Sequence, residues 1–298
     1  MFGRRPDGKR IRGSDPLVQI TPYIMPMRCD AQVFLKIRAD MEKLSRFIRK
    51  QKLENDEQIS YMHLIVASYV RALSRNPEIN RFIMNRKLYA RNNCSVAFIA
   101  LKDPSDVNSP ETVAKVRFDL TDTIFDVRDR MEAAVAANRA ENASGFIDRL
   151  LNVLFAVPAL PRLVAGVVRF LDNHGLAPAV LIDELPFYVS MFITNTASLG
   201  INDVNHHLYN WGNVGSFMGM GMTEKIAVIE NGEARMKRFL PIGITVDERV
   251  CSGAHYARFL NDMKYFLKNP ELLEAEPENV CFDQGLEYHE PKPARASA

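Results

Sequence analysis

The sequence has little with which to staple a fold or hold a metal. Its four cysteines (Cys29, Cys94, Cys251 and Cys281) lie far apart and form no C-x-x-C pair. That usage argues against a disulfide framework or a zinc knuckle and fits reduced thiols. The histidines include no H-x-x-x-H pair with a carboxylate at ligand spacing, so no metal is expected. Charge of one sign is also lacking. The formal net charge is +2, which leaves no global field to draw nucleic acid. Basic residues gather only at the start, at Arg4, Arg5, Lys9, Arg10 and Arg12. The most apolar stretch, 150–171, is interrupted by Pro158, Pro161, Arg162 and Arg169. It falls short of a transmembrane span and reads as two amphipathic helices parted by Val157–Pro161. The N-terminus is charged where a secretory signal is apolar, so a cytoplasmic protein is expected. The glycines of 211–221 are followed by no Gly-Lys-Ser/Thr, which excludes a P-loop.

What is present is an ordinary globular composition, 47% hydrophobic and 25% charged, over 298 residues. Residues 1–16 read as an extended arm, rich in glycine and charge. Residues 17–38 alternate apolar and polar positions, a strand signal broken by Pro22 and Pro26. Asp40 is placed to cap a helix to about Lys52, and helical spacing of Met62, Ile65, Val66, Tyr69, Val70 and Leu73 marks another over about 60–74. Strands are expected near 95–101 and 112–118, and a helix over about 124–140. A β-branched run follows over Phe187–Thr196. The Asn231-Gly232 dipeptide between two strand patterns predicts a type I′ hairpin. The last ten or so residues read as a loose tail.

Several segments fall in one order. Arg28-Cys29-Asp30-Ala31 precedes the Asp40–Lys52 helix, and Asn76-Pro77-Glu78-Ile79-Asn80 follows the next one. Phe192-Ile193-Thr194-Asn195-Thr196-Ala197-Ser198-Leu199-Gly200 comes later. Asp247-Glu248-Arg249-Val250-Cys251-Ser252-Gly253 leads into a helix with Arg258-Phe259-Leu260 and then Asn269-Pro270-Glu271. Together they resemble the chloramphenicol acetyltransferase-like superfamily, and in particular a stand-alone catalytic domain of the dihydrolipoyl acyltransferases of 2-oxoacid dehydrogenases. The resemblance covers roughly 17–275. It implies an α/β, two-layer sandwich with a mixed β-sheet and helices on one face. It also implies a catalytic domain over 17–275 that includes an apolar helical hairpin at 146–172, behind the arm at 1–16 and ahead of a tail at 276–298. The small-residue segment 211–221 would then lie near a threefold interface. The assembly implied is a homotrimer, or a higher multiple of three, with active sites between subunits and coenzyme A as the thiol of the acyl donor.

The resemblance also shows what has changed. The family motif is a His, three residues, then Asp-Gly; here Glu248 stands at the His and Ser252 at the Asp, before Gly253. The family His is a general base, and a base of pKa near 7 suits a thiol of about 8.5–9. Glutamate in water, at about 4.3, is roughly four units too weak unless burial raises it. Two readings follow: acyl transfer with Glu248 as base, or a catalytically silent trimeric scaffold or binding module of the same fold. In the bland reading Glu248 pairs with Arg249 or Arg28. The family Asp anchors the loop through an arginine. Ser252 cannot do so, and is expected to cap the helix that follows.

For the oxyanion hydroxyl the resemblance offers Thr196 first, Ser198 second, with Thr194 nearby. His206 and His207 are alternative bases, although tandem neighbours point apart and are unsuited to joint metal binding. His255 reads as packing or surface, His63 as a satisfied core histidine, and Cys251 as core rather than nucleophile. The Phe192–Leu199 and Thr245–Gly253 segments are expected close together. The hairpin and the 211–221 segment are expected to be covered, by the chain or by neighbours.

Overall fold

The computed structural model describes residues 5–101, 111–140, 154–202 and 204–293. Its spine is the fifteen-residue strand β10 (Glu233–Asp247). The first half of β10 pairs antiparallel with β9 (Glu224–Glu230) across Asn231 and Gly232, whose φ values of 53° and 83° are those a type I′ turn needs. Its second half lies antiparallel to both β2 (Gln32–Asp40) and β8 (Ser216–Met220). Beyond β8 come β7 (Met191–Asn195) and β5 (Cys94–Leu101) in parallel pairing, then β6 (Glu111–Phe118), antiparallel to β5. The sheet is therefore mixed, in the order β2-β10-β8-β7-β5-β6.

Alternation along these strands divides the side chains between two faces. Ile37, Ile193, Met218, Ile242 and Ile244 enter one buried cluster with residues of four helices. The helices are α2 (Met41–Asn55), α3 (Tyr61–Leu73), α4 (Ile124–Ala140) and, after the strand end, α7 (Gly253–Lys268). Asp40 and Ser60 start α2 and α3 as N-caps, accepting from the N–H groups of Glu42 and His63. Phe192 and Phe217 point to the opposite face and pack with Leu208 in a smaller cluster. A second sheet joins β1 (Gly8–Arg10), β4 (Lys87–Arg91) and β3 (Phe82–Met84) in the order β1-β4-β3.

Several expectations change. The strand pattern over 17–38 is a helix, α1 (Pro16–Ile24), then a 3-10 turn at Arg28–Ala31, and only then β2. Asp15 accepts from the Leu17 N–H and Pro16 occupies the first helical position, a start signal that outweighs the alternation. The arm is not simply extended chain. Its strand β1 pairs with β4, and Arg5 and Asp7 are buried in an ion pair that also holds Asp172. Nor is the tail loose as far as residue 293. The Glu290 N–H donates to Asp119 and Lys292 pairs with Asp126, while residues 294–298 lie outside the described residues.

The apolar hairpin splits likewise. Its first helix lies mostly outside the described residues. The second is α5 (Leu160–Asn173), followed by a short α6 (Ala179–Glu184). The expected cover is present for 212–221, which is buried, but among the described residues nothing covers the outer face of α5.

Candidate functional site

The end of β10 is held by a buried charge cluster. Asp247, 2% exposed, accepts from Arg249 at both oxygens, Nε at 2.8 Å and Nη2 at 2.7 Å. Arg28 brings its Nε within 3.6 Å of the same carboxylate and donates to the Tyr209 and Gly212 carbonyls. Burial pulls the Arg28 guanidinium below its usual pKa, and Asp247 opposes that shift. Arg249 also donates to the Met25 carbonyl, and the Tyr256 hydroxyl donates to the Asp247 carbonyl at 2.7 Å. Strand, turn and helix α7 are thus tied to one residue, the turn through the Asp247 carboxylate and the helix through its backbone carbonyl.

Glu248 follows in the turn after the strand. Its N–H donates to the Ala31 carbonyl at 2.9 Å, which fixes its backbone, while its side chain is exposed with no partner among the described residues. The pairing of Glu248 with Arg249 or Arg28 is therefore not formed; Asp247 takes both arginines. The strand ends at Asp247, and the turn that Glu248 and Arg249 then make leaves Glu248 exposed, which accounts for the difference. A serine at 252 does not leave the loop loose, because Asp247 anchors it. Sequence reasoning passed over Asp247, whose only local signal is Arg249 two residues on.

Ser252 stands at the N-cap position of α7 without capping it. Its Oγ lies 2.7 Å from His255 Nδ1, and the first-turn N–H groups of His255 and Tyr256 bond its backbone oxygen instead. The His255 ring claims the hydroxyl that a cap would use. His255 Nε2 in turn is 3.8 Å from Glu78. Gly253 opens α7 and is exposed. Burial pushes the Cys251 thiol up to about 12, as expected of a packing residue. His63 is half-buried in the first turn of α3, where its Nδ1 accepts from the Ser60 N–H and burial pulls its pKa down to about 4.

The hydroxyls lie elsewhere. Thr196 is buried and donates to the Met220 carbonyl at 3.0 Å and the Asn202 carbonyl at 3.2 Å. Ser198 is exposed and donates to the Asn195 carbonyl at 2.8 Å. Thr194 is half-buried, and its hydroxyl makes no hydrogen bond among the described residues. His206 stacks on Phe217 at 3.8 Å and on His207; burial lowers its pKa, and no metal-binding group forms among the described residues.

The ladder gives the spacing. Asn195 is level with Met220 and Met220 with Ile242, so Thr196 lies level with Pro241 and Glu248 is seven residues further on, one past the end of β10. At about 3.3 Å per residue that is roughly 20 Å. The two segments start side by side, Phe192 and Thr245 both being level with Phe217, but they run apart, so Thr196 and Glu248 do not meet within one chain. Beside the charge cluster opens a cleft of about 280 Å³, lined by Arg28, Arg249, Trp211, Arg86, Arg169 and Asn173 among others.

Residues 189–275 match the family model of the 2-oxoacid dehydrogenases acyltransferase (catalytic domain). No curated protein sequence matches the chain. Among solved structures, a probable dihydrolipoamide acetyltransferase from Listeria monocytogenes 4b F2365 is similar at 11% identity and a TM-score of 0.52, over 88% of this chain and 95% of that one. The cubic core of the pyruvate dehydrogenase multienzyme complex is similar at 14% identity and a TM-score of 0.53, over 88% and 93%. A chloramphenicol acetyltransferase is similar at 13% identity and a TM-score of 0.50, over 88% and 100%. The mixed sheet and its helical layer thus form the chloramphenicol acetyltransferase-like fold.

Proposed function

We propose that this chain, with its chloramphenicol acetyltransferase-like fold and an acyltransferase sequence pattern over 189–275, forms homotrimers that transfer acyl groups from coenzyme A thioesters. Glu248 of one copy is the base, and the strand end at 194–198 of its neighbour supplies the hydroxyl. The observation that carries this reading is the state of Glu248. Its carboxylate has no partner among the described residues and stands on a backbone fixed by Ala31 and by the buried Asp247–Arg28–Arg249 cluster. A solvated ornament would not need such a mount.

In this mechanism Glu248 takes the proton of the attacking group as that group adds to the acyl carbonyl. The oxyanion so formed accepts a hydrogen bond, and collapse breaks the carbon–sulfur bond and expels the thiolate, which takes the proton back from Glu248. Thr196 and Ser198 already give their protons to backbone carbonyls, so Thr194 is the hydroxyl with a proton to offer. The apolar wall that favours a protonated carboxyl must come from the neighbouring copy, because Glu248 is exposed in one chain.

Glu248→Gln is expected to lower acyl transfer from acetyl-CoA by about a hundredfold or more, the span of general-base catalysis. Coenzyme A affinity by calorimetry should stay nearly unchanged. Parent activity that survives the substitution would remove Glu248 from the mechanism. A parent that neither binds coenzyme A nor transfers acyl groups would leave the silent trimeric scaffold.

A further inference from the structure

We propose that the outer face of α5, with the residues just before it, docks on an anionic lipid surface. The proposal is independent of the acyl-transfer reading. Leu163, Val167 and Phe170 follow one another at spacings of four and three residues, so they form one stripe along the helix, with Gly166 among them. The stripe faces away from the protein: Leu163 is 65% exposed and Phe170 57%, and Phe155, just before the helix, is 70% exposed. The opposite side of α5 is anchored. Asp172 is buried there and holds Arg5 and the Tyr188 hydroxyl, so the outward aim of the stripe is built into the fold.

The charges choose the occupant. Arg162 and Arg169 are seven residues apart, two turns along one flank of the stripe, exposed and without a carboxylate partner among the described residues. Between 154 and 182 the only acidic residue is Asp172, which is buried and already paired. A second copy of this helix would bring more arginines to the contact, with no free acid of its own to meet them. A plane of anionic headgroups meets both arginines at one level while the acyl region takes Phe155, Leu163, Val167 and Phe170. Among the described residues no helix is long and apolar enough to cross a membrane, so α5 would lie in the interface plane.

The test is co-sedimentation of the full chain with phosphatidylcholine vesicles, with and without phosphatidylglycerol. The parent should bind the anionic vesicles and leave the neutral ones. Arg162→Gln with Arg169→Gln should weaken binding roughly thirtyfold, two charges each worth a factor of about five. Leu163→Glu with Phe170→Glu should abolish binding, with circular dichroism and sedimentation mass unchanged. A parent that ignores both vesicles overturns the proposal, as does equal binding to both. If the parent ignores vesicles and the Leu163→Glu, Phe170→Glu variant falls to a smaller sedimentation mass, the face is a contact between copies instead.

Discussion

The chemistry of this molecule turns on two adjacent carboxylates with opposite surroundings. Asp247 is buried between Arg28 and Arg249, whereas Glu248 is exposed and unpaired among the described residues. Replacing Asp247 with Asn leaves two buried guanidinium groups without their counter-charge. That should cost about 3–5 kcal/mol in urea unfolding, the penalty of breaking a buried pair. Glu248→Gln, at an exposed position, should shift stability by no more than about 0.5 kcal/mol. Equal small effects at both positions would show that the cluster is not the anchor described. The motif was legible in the sequence, but the division of labour inside it was not. Asp247 and Glu248 are both acidic beside Arg249, and only the point where β10 ends and turns decides which one the arginines take.

At the scale of elements, reading went well where a local signal is complete. Asp40 and Ser60 cap the helices they were expected to cap or begin, and Asn231-Gly232 makes its hairpin. It failed where two signals competed, as at 16–24, where Asp15-Pro16 nucleates a helix within an alternating pattern. Ser252 failed differently. Its place at the start of α7 is right, but the His255 ring one turn away takes its hydroxyl, a competition that cap propensity alone does not weigh. The segment joining β7 to β8 carries a sharper test. Gly212 has φ +71°, and a Cβ there would fall against the Phe187 carbonyl oxygen, while its own carbonyl accepts from Arg28. Gly212→Ala should therefore cost about 3 kcal/mol or more, left-handed strain and steric overlap together. A melting temperature within a degree of the parent would show that this backbone yields easily and does not position Arg28.

At the scale of the whole molecule, the order β2-β10-β8-β7-β5-β6 could not be read from composition or periodicity, because each pairing joins residues remote in sequence and the register sets which ends meet. That register is what separates Glu248 from the 194–198 strand end by roughly 20 Å in one chain. Groups that act on one substrate must meet within hydrogen-bond reach, so the proposed site needs two copies in head-to-tail contact, the kind of interface that closes into a ring. Mixing then becomes decisive. Glu248→Gln and Thr194→Val should each be nearly inactive alone, the second through loss of an oxyanion donor worth about a hundredfold or more. Unfolded together in equal amounts and refolded, they form mixed rings. A contact then joins an intact base to an intact hydroxyl with odds of one half times one half, so about a quarter of parent activity should return. Refolding each variant separately and mixing afterwards should restore far less on the timescale of the assay. If the co-refolded mixture stays as inactive as its parts while sedimentation shows mixed assemblies, the base and the hydroxyl do not meet across a subunit contact, and the proposed site is wrong.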